Sequence, residues 1–206
     1  MAVTFTTTTV TNPIGAQGDY PLDLTPGHVG MLADLQAYVS RSYRNQTGAA
    51  IPFGRLVQTD NTPTTNDVYA VELASGVAGI VGITIDSFTF EAVGEPIYVR
   101  DPSPIRTDAN GEEHVGYPDK QTLNVMSKGV IWVHSAEAIA LGDDVRFYDE
   151  DHSATLDGAD TGSFGKTAVA GKTVKIGGAR WLSETSAAGL VLLELDIPAS
   201  TFTADT

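Results

Sequence analysis

The sequence contains no cysteine, which excludes disulfides, thiol nucleophiles and cysteine-based zinc sites without fixing a compartment. Positive charge is scarce. Twelve Lys and Arg stand against 26 Asp and Glu, giving a formal charge of −14 at pH 7 and a pI near 4.4. Affinity for DNA and RNA comes mainly from basic side chains neutralising phosphates, and no basic run is present, so no nucleic-acid partner is expected. Anionic membranes should repel such a chain for the same reason. Long hydrophobic runs are missing too: nothing approaches the ~18 consecutive apolar residues of a membrane helix. The N-terminal residues Met1 to Val10 are mostly threonine, with neither a positive start nor a continuous apolar stretch. That is not a signal peptide, and the expectation is synthesis in a cytoplasm with no membrane partner.

What is present is ordinary globular material. A hydrophobic content of 42% over 206 residues speaks against global disorder, and the length suits one large β domain or two small ones. Short apolar or alternating runs recur over residues 51–59, 68–73, 80–85, 96–100, 123–126, 130–134, 145–148, 180–182 and 190–195, mostly separated by Gly or acidic turns. This punctuation predicts an all-β fold, a compact barrel or sandwich of short antiparallel strands, rather than βαβ units. Ser127-Lys128-Gly129 reads as the short connection of a hairpin, with Gly supplying a positive φ. Three segments, Gly54 to Asp60, Gly94 to Asp101 and Gly142 to Asp149, share a Gly turn, a brief alternating strand and an Asp turn. Their uneven spacing fits three strands of one domain, not a solenoid.

The N-terminal part is less regular. Thr4 to Thr11 is rich in β-branched residues and is cut off by Asn12-Pro13-Ile14-Gly15 and Gly18-Asp19-Tyr20-Pro21, which suits an arm as well as it suits a frayed end or an edge strand of the chain's own sheet. Residues 29–43 carry Leu32, Leu35 and Val39 at helical spacing behind a possible N-cap at Thr25, yet Gly27 and Gly30 weaken a helix there. Val39 to Tyr43 also fits strand alternation, so this segment stays open between a short helix and an extended arm. The division expected is an extended or partly helical N-terminal arm over residues 1–48, a β-barrel or sandwich over 49–197 and a C-terminal tail over 198–206.

Chemistry is sparse. His28, His114, His134 and His152 are scattered and match no metal pattern. G-x-S-x-G is absent, and abundant carboxylates without geometry do not make a glycosidase pair. Gly162-Ser163-Phe164-Gly165-Lys166-Thr167 looks superficially like a phosphate loop but lacks its spacing and following helix. Asp149, Asp151, Ser153, Thr155, Asp157 and Asp160 fall at the ligand positions of a calcium loop. Ala154 replaces the needed Gly and Asp160 the bidentate Glu, which favours a solvated hairpin loop. The stretch Asp108-Ala109-Asn110-Gly111-Glu112 has the same character. Trp132 and Trp181 suit core packing or a subunit interface at least as well as a sugar-binding face. No catalytic residue, cofactor or metal site is assigned.

An ordered set of elements carries a family resemblance. Val125-Met126-Ser127-Lys128-Gly129-Val130-Ile131-Trp132-Val133 is followed by Leu141-Gly142-Asp143-Asp144-Val145-Arg146-Phe147, then by Gly178-Ala179-Arg180-Trp181-Leu182-Ser183 and Ala188-Gly189-Leu190-Val191-Leu192-Leu193-Glu194-Leu195. Pro26-Gly27, Met31-Leu32-Ala33-Asp34 and Ile51-Pro52-Phe53-Gly54-Arg55-Leu56-Val57 fit the same opening. Over roughly residues 20–197 the chain resembles the structural cement (capsid decoration) proteins of tailed bacteriophages. The resemblance implies a virion protein on the outer capsid surface that joins major capsid protein subunits and is synthesised in the bacterial host cytoplasm. It also implies self-association as a homotrimer, or alternatively a dimer, with no catalytic residues to carry over. The alternatives are a tail or neck component, or a carbohydrate-binding adhesion module. The arm, lacking a core-facing pattern, is the segment expected to order on a partner by strand addition.

Overall fold

The computed structural model describes residues 27–33, 38–60, 69–86, 105–107, 113–156 and 159–206. In chain order the strands are β1 (Val39–Asn45), β2 (Leu56–Thr59), β3 (Ala70–Leu73), β4 (Ile80–Thr84), β5 (Ile105–Thr107), β6 (Glu113–Val115) and β7 (Thr122–Ser135). They continue with β8 (Arg146–Tyr148), β9 (Phe164–Gly165), β10 (Thr173–Gly177), β11 (Arg180–Trp181), β12 (Gly189–Asp196) and β13 (Thr201–Ala204). Among the described residues the only helical element is a single 3-10 turn, Ile197–Ala199, so the fold is all-β as the punctuation predicts.

Five strands close on themselves: β1 pairs with β3, β3 with β2, β2 with β4, β4 with β7, and β7 again with β1. Closure removes sheet edges and turns one face of each strand inward. The ring's core holds Val57, Val71, Leu123 and Val125, sealed by Ile51, Phe53 and Tyr117. Phe53 meets Tyr117 edge to face at 5.1 Å. Asn45, fully buried, closes the turn that follows β1. Its Nδ2 donates to the carbonyls of Ala49 (2.7 Å) and Tyr117 (2.9 Å), and its Oδ1 accepts from the Thr47 amide and hydroxyl.

The second body grows from the far half of β7. There β12 pairs along its whole length, from Gly189 opposite Ser135 to Asp196 opposite Lys128, and β11 adds to β12. A second group, β9–β8–β10–β13, joins β7 through Phe164 opposite Ser135. Phe147, Phe164, Ile131, Val133, Val191, Leu193 and Trp181 fill the space between. The residues read as a tail are part of this body: β13 pairs with β10 from Thr201 opposite Gly177 to Ala204 opposite Val174. Asp205 accepts from Arg146 Nε and Thr173 Oγ1.

Like β2, which gives Leu56 to the second core and Val57 to the ring, β7 serves both cores, and in β7 an irregularity intervenes. The hairpin predicted at Ser127-Lys128-Gly129 is not formed, because residues 122–135 run as one continuous strand with partners along their length. Between Val39 and Ser40 the partner on β7 jumps from Lys128 to Met126, which leaves Ser127 as an extra residue. A one-residue bulge exchanges the two faces of a strand. Leu123 and Val125 therefore point into the ring, whereas Ile131 and Val133, of the same parity, point into the second core. Gly129 has φ 139°, and a Cβ there would stand 2.9 Å from Tyr38 Cβ, so this glycine admits the start of β1 rather than a turn.

Where described, the segment left open between helix and arm is not helical: it turns at Val29-Gly30, with Gly30 at φ 85°, and is a strand from Val39. Leu32 bridges Ile131, Ala33 N donates to Val130 O, and Val39 to Arg44 pair with Lys128 to Thr122. Neighbouring β7 supplies the hydrogen bonds that a helix would have made internally. Residues 1–26, the run at 96–100 and the Gly94 echo lie outside the described residues; the other two echo segments contain β2 and β8.

Candidate interaction surface

The chemical candidates are absorbed into structure. Glu137 Oε1 accepts from the backbone amides of Lys166 (2.6 Å) and Thr167 (2.7 Å), and its Oε2 from the Thr167 hydroxyl (2.6 Å). The phosphate-loop look-alike thus does hold an anion, the protein's own carboxylate. In the calcium-like loop, Asp151 Oδ1 accepts from the Ser153 amide, and Asp160 pairs with Arg55 at 2.7 Å. The Ser153 contacts hold the Asp151 carboxyl below its usual range. Asp157 lies outside the described residues, as do Asp108 to Glu112. Among the described residues, no three His, Cys, Asp or Glu side chains gather as a metal ion would need.

The histidines stay apart. His28 Nε2 lies 2.6 Å from Asp86 Oδ2, His152 stacks on Tyr148, and His134 sits on β7 opposite Leu190. His114 is on β6. Trp181 is buried, and its indole N–H donates to Asp144 O, which removes it from any sugar-binding face.

Among the described residues several cations are committed to neighbouring carboxylates. Arg146 reaches Asp144 and Asp205, Lys175 reaches Asp144, and Lys166 reaches Asp143. Hydrogen bonding lowers the pKa of both acids: from the Ala140 amide, then Lys166, for Asp143, and chiefly from Lys175 for Asp144. Such pairing leaves little positive charge for phosphate.

One outward-facing surface is the ribbon of β7, β12 and β11. Alternation sends Ile131, Val133, Val191, Leu193 and Trp181 inward, and leaves Val130, Trp132, Leu190 and Leu192 half-buried on the other face. Leu182, whose amide donates to Leu192 O, is exposed beside them. None of these five belongs to a core cluster. At one end lies a groove of about 430 Å³ lined by Lys128, Gly129, Val130, Gly178, Arg180, Glu194, Leu195 and Asp196. Lys128 bonds Asp196 at 2.6 Å, which raises the lysine pKa, and Arg180 pairs with Glu194. An apolar centre with a charged rim is the anatomy of a protein interface. The sequence carried one hint of it: Leu190-Val191-Leu192-Leu193 is apolar on both faces, more than one core requires.

A closed barrel that shares β7 with a second layer defines an all-β protein of two packed bodies. The chain belongs to the structural cement protein family, whose model, described as structural cement protein (E217 gp24/Pam3 gp6), matches residues 16–196. It is thus of a bacteriophage capsid structural family, not an enzyme family. A chain in the solved structure of the capsid of Myoviridae phage XM1 shares the fold. The TM-score is 0.55 at 17% identity, with 89% of this chain and 98% of that one covered. No curated protein matches.

Proposed function

We propose that this protein binds the outer surface of the assembled phage head and clamps neighbouring major capsid protein subunits. The observation that carries the reading is the family match, which runs unbroken through both cores from residue 16 to residue 196. The role is mechanical and needs no catalytic group, metal or cofactor. Its acidic surface suits a position outside the shell, away from the genome. The copies act as homotrimers at threefold positions, with dimers at twofold positions as the alternative. Residues 1–18 serve as the arm that adds to a capsid strand, while the body, which includes β1, keeps its fold without them.

The test is co-sedimentation of the purified chain with expanded capsids lacking it, titrated to saturation, alongside capsid melting temperature. Saturable binding with a raised melting temperature is expected, and the stoichiometry separates trimer from dimer. Absence of binding to matched capsids overturns the proposal. Deleting residues 1–18 should leave the fold intact and weaken attachment; normal decoration by the truncated chain would remove the arm from the mechanism.

A further inference from the structure

The ring closes at a short seam. β1 and β3 run parallel and meet at only two register pairs, Arg44 with Ala70 and Asn45 with Val71. Upstream of the seam β1 overhangs β3, while its other side stays paired to β7 from Val39 to Arg44. Alternation decides which backbone groups this leaves over. The Asn45 amide donates to Gln121 O on the β7 side, and the Arg44 amide to Tyr69 O on the β3 side. Ser40 and Ser42 share the parity of Arg44, so their N–H and C=O groups point away from β7. No backbone partner meets them among the described residues.

The side chains along this edge are of the kind that anchor protein contacts. Val39, Arg41 and Tyr43 alternate onto one face of β1. Val39 is 47% exposed, and Tyr69, 57% exposed, sits edge to face with Tyr43 at 6.2 Å. Tyr and Arg are enriched where binding energy concentrates. Arg41 is exposed and meets no carboxylate among the described residues, whereas Arg55, Lys128, Arg146 and Arg180 are each paired with one. In a chain of net charge −14, an unpaired cation beside open backbone groups selects an acidic strand.

We propose that the overhang of β1 accepts an extended, acidic segment of another protein as an added strand. A carboxylate of that segment lies opposite Arg41, its aliphatic side chains pack against Val39 and Tyr43, and its backbone takes up the open groups of Ser40 and Ser42. Naming the major capsid protein as the source rests on the capsid reading above. The chain's own β-prone stretch, Thr4 to Thr11, contains no acid to meet Arg41, which makes it the poorer occupant.

The experiment is amide hydrogen exchange on the full chain, free and bound to expanded capsids lacking it, with capsid affinity measured for each variant. The Ser40 and Ser42 amides should exchange freely in the isolated chain and become protected on the capsid. Arg41→Glu should weaken binding about tenfold and flatten its salt dependence, while Arg41→Lys keeps most of both. Ser42→Pro removes an edge amide that β7 does not use, and should weaken binding by a similar factor. Asn124→Ala, which loses the bond from Ser42 Oγ without touching the edge backbone, should bind as the wild type does. Unchanged emission from buried Trp181 reports that each variant is folded. Capsid-bound wild type whose Ser40 and Ser42 amides still exchange freely overturns the added strand and leaves the capsid reading standing.

A synthetic peptide of alternating valine and threonine with one central aspartate tests the edge without the shell. It should protect the same two amides, and its central-lysine counterpart should not. Protection by neither peptide nor capsid overturns the acceptor edge. Protection by the peptide with no binding to capsids overturns the shell as the source. Protection that grows with the concentration of the chain alone would assign the edge to a second copy, and overturns the proposal as well.

Discussion

The ring core and the ribbon core are built from the same residue types but close in different ways. In the ring, five strands return on themselves, and a small cluster around Phe53 and Tyr117 is sealed by its own turns. In the ribbon body the described strands do not close into a ring, the larger cluster around Phe147 and Phe164 is buried between strand groups, and apolar side chains remain on the ribbon's opposite face. Closure removes the ring's edges but not its outer faces, for Leu56 on β2 and Ile83 on β4 turn away from the ring into the ribbon core. The two are held as one object by β7, whose bulge at Ser127 lets it feed both cores, and by Leu56 and Ile83 of the ring strands, which pack into the ribbon core.

That comparison is open to attack at three points. The largest effect is expected from Phe164→Ala. This ring is fully buried in the ribbon core, and large-to-small changes of this kind cost ~3–5 kcal/mol. If β7 couples the cores, denaturant unfolding should shift as one transition, with tryptophan emission (ribbon) and exchange of β2 and β3 amides (ring) sharing a midpoint. Two separated midpoints would show that the cores are independent units.

A smaller effect, confined to the ring, is expected from Asn45→Ala. It removes the amide that ties Ala49 and Thr47 to the Tyr117 carbonyl, a loss of about 2 kcal/mol for a buried polar group with several partners. Hydrogen exchange should quicken over residues 45–51 while β12 amides keep their protection. Equal loosening in β12 would mean that the turn stabilises both bodies.

The smallest effect is expected from Tyr148→Phe in the ribbon body. The hydroxyl is buried and makes no hydrogen bond among the described residues, so its removal should change stability by no more than ~1 kcal/mol at neutral pH. Burial, with the Glu137 charge adding to it, pushes the phenol from its ordinary value near 10 to about 12. A raised folded-state pKa favours the protonated form in the fold. The contribution is therefore complete below the ordinary tyrosine pKa and is lost as pH rises from there through about 12. The phenylalanine variant should lose less stability than the wild type across that alkaline window, as measured by urea midpoints at each pH.

Fold class was legible because period-2 alternation and glycine punctuation are local properties. The runs at 80–85 and 190–195 became β4 and β12 nearly as read. Other elements were hidden for physical reasons. β10 and β13 carry weak apolar patterns and gain order by pairing with each other, and β1 is largely exposed, so nothing in its composition marks it as the strand that closes the ring. The Glu137 clasp joins residues far apart in the chain, and only folding brings that carboxylate to the amides of Lys166 and Thr167.

By itself the sequence determined an acidic, cysteine-free, all-β chain, and the order of its hairpin elements already marked the cement family. Composition and alternation suffice for that because they act within a few residues. Tertiary structure alone decided that residues 122–135 form one strand instead of a hairpin. It also decided that a bulge at Ser127 splits that strand's allegiance, and that Trp181 faces inward while Trp132 lies on the surface. Side-chain direction in a strand depends on which partners it finds and on any extra residue in the register, and neither is written in the local sequence.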